Sequence, residues 1–232
     1  MKVLKLLSLV LLVATVVLSQ ENRNVVRMVT WQPKPGMERQ FEEGYKRHLV
    51  WHTNAKDPWI WHGWNINSGD RSGWFVDASF GHAWTDFDSP VNPSGDRGDN
   101  EKNVVPYADV RQVSTFEVVP AASNLDEQRL SSRLLTFVYL DIRPGFGGQF
   151  EASIASALQG TAAPPHALLR PANGTMQYLL LLAADKNSDL GPTSETVRKL
   201  LASISERDAN LIQRVGTETA SHRPDLSYLG AK

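Results

Sequence analysis

The chain has 232 residues, a formal net charge of −1 and no cysteine. With no excess of Lys and Arg to neutralise phosphates, nucleic acid is not expected as a partner. A hydrophobic fraction of 41% excludes general disorder, and the missing thiols exclude disulfides and Cys metal sites.

Residues 1–19 read as a secretory signal peptide. Lys2 and Lys5 give a positive start, residues 6–18 are apolar except for Ser8 and Thr15, and the small Val17 and Ser19 stand just before Gln20. The run is short for a bilayer span, which takes about 20 apolar residues. The expectation is a secreted or periplasmic protein with no membrane association after cleavage.

Residues 25–32 are β-rich and end at Pro35-Gly36, a strand-breaking turn. Residues 37–52 form a helix by pattern: Met37, Phe41, Tyr45, His48 and His52 are spaced to share one face. Strands are expected at 59–66 and 74–80, joined by the hairpin turn "NSGDRSG". A Pro, Asp and Gly-rich loop follows, then a short helix at 100–108 and a strand at 112–119. Residues 121–132 read as a linker.

After the linker the pattern recurs at an offset of 109 residues. "KPG" at 34–36 falls on "RPG" at 143–145, and "QFE" at 40–42 falls on "QFE" at 149–151. Strands are expected at 134–141, 167–170, 176–184 and 217–223, and helices at 146–159 and 193–215. Two domain-sized copies indicate a duplication, not a solenoid. The predicted organisation is a first repeat over 20–120 that holds the site, the linker, and a supporting second repeat over 133–232. Each repeat runs β-α-β-β-α-β, the ferredoxin-like order.

The strand, the Pro-Gly turn and the helix carrying Phe-Glu, once per half, resemble the dimeric α/β-barrel superfamily, which includes antibiotic-biosynthesis-monooxygenase-like and NIPSNAP-like domains. The resemblance implies an α+β fold in which two tandem ferredoxin-like repeats pack sheet to sheet as an intrachain α/β barrel. A four-stranded sheet with helices on one face needs its other face covered, which agrees. Monooxygenase-like members imply cofactor-free oxidation of an aromatic substrate. Other members hold haem through a helix histidine.

The copies diverge on the helix face. Met37, Phe41 and Tyr45 align with Phe146, Phe150 and Ile154, but His48 and His52 align with Ala157 and Thr161. All seven tryptophans lie in the first half. A pocket for a small aromatic or flat ligand is therefore expected there, lined by Tyr45, Trp59, Trp61, His62, Trp64, Trp74, Asp77 and His82. His48 and His52 are the candidate catalytic residues, one of them a base oriented by a neighbouring Asp. No cofactor is predicted. The alternatives are a metal ion, since His48 and His52 are spaced i, i+4 with His62, His82 or Asp77 as a third ligand, and non-covalent haem at either histidine.

The runner-up function is a non-catalytic ligand-binding or structural module, and a homo-oligomer is compatible with either. Structural roles are also open to each aromatic and histidine. The acidic stretch 86–100, with Asp86, Asp88, Asp96 and Asp99, lacks a Ca²⁺-loop pattern and reads as a solvated loop over the pocket. Arg223 and Asp225 in "HRPDLSYL" are expected to pair and tie down the tail.

Overall fold

A computed structural model describes residues 21–159 and 161–230. The signal-peptide reading falls outside them. Among the described residues no helix is long and apolar enough to cross a membrane.

The first half contains β1 (Val25–Pro33), α1 (Glu38–Ala55), β2 (His62–Ile66), β3 (Phe75–His82), α2 (Pro93–Asn103) and β4 (Ala108–Ser123). A single turn, α3 (Glu127–Leu130), lies in the expected linker, and β4 itself runs into that stretch. The second half contains β5 (Leu134–Ile142), α4 (Gly147–Gln159), β6 (His166–Asn173), β7 (Tyr178–Ala184), α5 (Leu190–Arg207) and β8 (Ile212–His222). β1 and β5 begin and end 109 residues apart, and Gly36 and Gly145 supply the positive φ (76° and 85°) that both turns require.

The strands close into one antiparallel barrel in the order β1-β3-β2-β8-β5-β7-β6-β4. Each half contributes four strands in the same internal order, and β2–β8 and β4–β6 pairing joins the halves. The expected sheet-to-sheet packing is thus achieved by hydrogen-bonded closure, through a short β2–β8 seam of three residue pairs and the β4–β6 ladder. Inward residues from all eight strands fill the interior, among them Val26, Trp64, Val76, Phe116, Phe137, Leu169, Leu181 and Ala220. The helices lie outside.

Two helix boundaries differ from expectation for local reasons. α2 spans 93–103, not 100–108, because Asn92 caps it by accepting from the Gly95 amide and Pro93 occupies its first turn. α5 stops at Arg207, not residue 215. The Asp208 carboxylate accepts the Asn210 amide and an Arg143 N–H, which turns the chain out of the helix and into β8.

The two halves differ in how their outer faces are covered. α5 buries Thr193, Val197, Leu200 and Ile204, and the space beneath α4 and α5 is packed with apolar side chains, mostly aliphatic with Phe150 and Tyr178 among them. α2 reads PSGDRGDNEKN and has no buried residue. With no aliphatic side chain to lower onto the sheet, it roofs a cavity instead of filling one.

Candidate functional site

The cavity has a volume of about 490 Å³ and lies between α1, α2 and the outer face of β1, β3 and β4. Trp31, Trp59, Trp61 and Phe87 form aromatic wall. Tyr45, His48 and His52 enter from α1, Asp77 from β3, and Asp96 and Asn100 from α2.

α1 places its histidines by periodicity. Phe41, Gly44, Tyr45, His48 and His52 are its buried stripe. Gly44 lets α2 come close, since a Cβ there would lie 1.9 Å from the Asn103 carbonyl oxygen. α1 has 18 residues and α4 only 13, so the last turns of α1 have no counterpart in α4, and they carry His52.

The two imidazoles face one another, with His48 Nε2 and His52 Nε2 3.2 Å apart. Each ring is held from behind. His48 Nδ1 lies 2.9 Å from Asp99 Oδ1, and His52 Nδ1 lies 2.7 Å from Asp57 Oδ2. A carboxylate only accepts, so each Nδ1 carries the proton and each Nε2 of a neutral ring carries a lone pair. Asn100 Nδ2 donates to His48 Nε2 at 3.1 Å, and Asp96 Oδ1 is 3.4 Å from the same nitrogen. Both rings are buried, His48 at 4% and His52 at 6% exposure. Burial, then the neighbouring His52, lowers the His48 pKa. Burial pushes Asp57 up, but donors from His52, the Trp59 amide and the Trp61 indole outweigh it and hold its pKa below the usual value.

A second polar group lies deeper. Asp77 Oδ2 accepts from Trp31 Nε1 at 2.7 Å and from Tyr45 Oη at 2.8 Å. Full burial raises its pKa to about 6 against the opposing effect of both hydrogen bonds. Strand register gives its counterpart: Val29 pairs with Asp77, and Val138 with Leu180. The Trp31, Tyr45 and Asp77 group of the first half is therefore Leu140, Ile154 and Leu180 in the second, all buried in its packed core.

Of the residues expected from sequence, the structure brings Tyr45, His48, His52, Trp59, Trp61 and Asp77 to the cavity. His62, Trp64 and Trp74 are corrected. Trp64 is 1% exposed in the barrel interior, His62 stacks on it, and Trp74 packs against the same interior cluster. Alternation along β2 puts His62 and Trp64 on the face opposite Trp61, so one cavity cannot take both sets. Burial, then His222, lowers the pKa of His62 to about 4.

His82 is corrected for another reason. Val25 pairs with His82 but Arg27 with Ser79, so β3 carries one extra residue, and Gly81 has φ 77°. This bulge turns His82 to the outer face, the side on which the cavity lies, but at the far end of β3, clear of the lining. There it bonds Ser79 Oγ at 2.7 Å and packs behind Trp59, outside the cavity lining.

The sequence reading missed Asp57, Asp96, Asp99 and Asn100 as partners of the histidines. The usable signal was the i, i+3, i+4 spacing of Asp96, Asp99 and Asn100, which a helix places on one side. The reading of 86–100 as loop concealed it. Tyr228 was missed too: it stacks on His52 at 5.6 Å and donates to the Asp57 carbonyl at 2.9 Å. The expected Arg223–Asp225 pair is present at 3.0 Å, and Arg223 also grips Glu42 of α1.

No family model matches the chain, and no curated protein is similar to it in sequence. Solved structures are similar in fold. A "putative monooxygenase" from Lactobacillus acidophilus NCFM shares 8% identity at a TM-score of 0.59, with 90% of this chain and 97% of that chain covered. Chlorite dismutase from Candidatus Nitrospira defluvii shares 8% at 0.54, covering 89% and 93%. An anthrone oxidase-like protein shares 10% at 0.54, covering 91% and 98%. The chain has the dimeric α/β-barrel fold, with both ferredoxin-like units carried on one polypeptide.

Proposed function

We propose that the chain is a small-molecule enzyme that binds a flat, aromatic ligand in the first-half cavity and promotes its oxidation by dioxygen at the His48–His52 pair. The observation that carries this reading is the approach of two buried Nε2 atoms to 3.2 Å at the wall of an aromatic cavity, each ring anchored by its own carboxylate. Burying such a network costs free energy unless every member is satisfied, and the second half packs aliphatic side chains at the matching place. A fold that can do without the network and still keeps it points to use.

The pair presents two electron-pair donors to one point. Such a centre takes up a substrate proton or binds an electrophile. The indoles of Trp59 and Trp61 give a flat ligand faces to stack on. Asp77 and Tyr45 offer a polar contact deeper in the cavity. Oxidation is supported by the fold shared with the "putative monooxygenase" and the anthrone oxidase-like protein. Residues 1–19 support an exported enzyme.

The test is a panel of hydroxylated polycyclic aromatics, followed by quenching of tryptophan fluorescence and by dioxygen uptake. Binding that weakens in Trp61→Ala, with uptake abolished in the folded His48→Ala/His52→Ala double variant, is expected. Binding without any uptake would leave a ligand-binding module. Uptake undiminished by the double substitution would overturn the role of the pair.

A further inference from the structure

We propose that His48, His52 and Asp96 hold one divalent first-row transition-metal ion, with Asn100 as a fourth donor and Asp57 and Asp99 fixing the two imidazoles. This deepens the reading of the His48–His52 pair as the reactive centre, and rests on it.

Two neutral imidazoles whose Nδ1–H groups are both committed to carboxylates leave two lone pairs opposed at 3.2 Å. Asn100 Nδ2 donates to the His48 lone pair, and the contact between the two nitrogens is satisfied only by a cation between them, a proton or a metal ion. Metal–imidazole bonds of about 2.0–2.1 Å from each Nε2 meet at an angle of about 100° for that separation, between octahedral and tetrahedral values. The three donor atoms of His48, His52 and Asp96 lie within 4.8 Å of one another. Asp96 is the most exposed of the three, with 41% of its side chain accessible, and can turn inward to complete the set.

Asn100 adds an independent sign. Its Oδ1 is buried with no hydrogen-bond partner, while its Nδ2 lies 3.1 Å from His48 Nε2. Rotating the amide brings the oxygen to the same point. Two imidazoles with one carboxylate and an amide oxygen suit borderline divalent ions, not Ca²⁺ or Mg²⁺. The carboxylates behind both rings complete the carboxylate–histidine–metal arrangement that orients metal-binding imidazoles. Because the two nitrogens face each other, an ion fits here more readily than the iron of a macrocycle, which needs an open face on one axial nitrogen. With the ion in place the histidines are ligands, and Asp77 and Glu101, on the same cavity, are carboxylates left outside the metal set to accept a proton.

The test is to strip the purified chain with chelator and titrate it with Co²⁺, reading visible d–d absorption and metal content after desalting. One ion per chain is expected. His52→Ala and Asp96→Ala should each weaken binding at least 100-fold. Asp57→Asn should weaken it about 10- to 100-fold. His62→Gln, in the barrel interior, should leave it unchanged. Circular dichroism shows that each variant is folded, and the half-exposed Asp96 keeps the test open if His52→Ala is not. No retained ion, or equal retention in folded His52→Ala and Asp96→Ala, overturns the proposal. The stripped wild type is also given 1-anilinonaphthalene-8-sulfonate as a flat aromatic probe. Probe binding without Co²⁺ binding sinks the metal site and leaves the cavity reading standing. Failure of both sinks the two together.

Discussion

His52 Nδ1 and Asp57 Oδ2 are 2.7 Å apart and both groups are buried, so the carboxylate just past the end of α1 fixes the ring at that end. Removing the ring leaves a buried carboxylate short of its closest donor. His52→Ala is expected to destabilise the chain by about 1–3 kcal/mol in denaturant unfolding. Asp57→Ala should then cost less in the His52→Ala background than in the wild type. A coupling energy below about 0.5 kcal/mol in that cycle would show that the two do not act together.

Gly44 sets the distance between α1 and α2. A methyl group there meets the backbone oxygen of Asn103, which cannot rotate away. Gly44→Ala should cost about 1–3 kcal/mol by overpacking, although alanine is the better helix former. It should also push α2 outward and weaken both metal uptake and aromatic binding. Unchanged stability would mean that α2 moves freely on α1.

Asp77 carries a pH signature. Its folded pKa, about 6, lies above the unfolded value, so the folded chain holds more protons than the unfolded chain between about pH 4 and 6. This contribution is fully present below the unfolded pKa and is lost as pH rises through the folded one. Asp77→Asn removes it. The stability of wild type relative to Asp77→Asn should therefore fall, by up to roughly 3 kcal/mol, as pH rises from 4 to 7. A constant difference would show that Asp77 is ionised throughout.

His62 has the opposite sign. Its folded pKa, about 4, lies below that of the unfolded chain, so acid favours unfolding as pH drops from about 6.5 towards 4. His62→Gln should lose less thermal stability than wild type over that window. An equal loss would mean that the ring is protonated within the barrel.

The tail from Arg223 to Tyr228 closes the His52 end of the site. Leu226 is fully buried beside Phe41 and Phe75, and Leu226→Ala should cost about 2–5 kcal/mol. Arg223→Gln breaks a partly exposed grip on Glu42 and Asp225 and should cost no more than about 1 kcal/mol. If Leu226→Ala were the milder of the two, charge and not burial would hold the tail.

The duplication, the ferredoxin-like order and the inward stripe of α1 were legible because each is written in local periodicity. A strand alternates, a helix repeats at three and four, and Pro-Gly ends one element before the next. The offset of 109 also exposed His48 and His52 against Ala157 and Thr161. Less legible was which face of β2 and β3 meets the cavity. Tryptophans and histidines on both faces look alike in composition, and only the barrel's closure makes one face interior. The bulge at Gly81 reversed the parity for His82, and parity counted along a strand cannot anticipate an inserted residue.

By itself, then, the sequence determined the two-fold plan of the chain and the half in which chemistry-bearing residues concentrate, because those follow from contacts between near neighbours. Only the tertiary structure decided which groups meet. His48 finds Asp99 and Asn100 some fifty residues away because α2, lacking any aliphatic face, settles on the close approach that Gly44 permits and roofs the cavity. Pairings of that separation are set by helix packing over a closed barrel, and no local pattern encodes them.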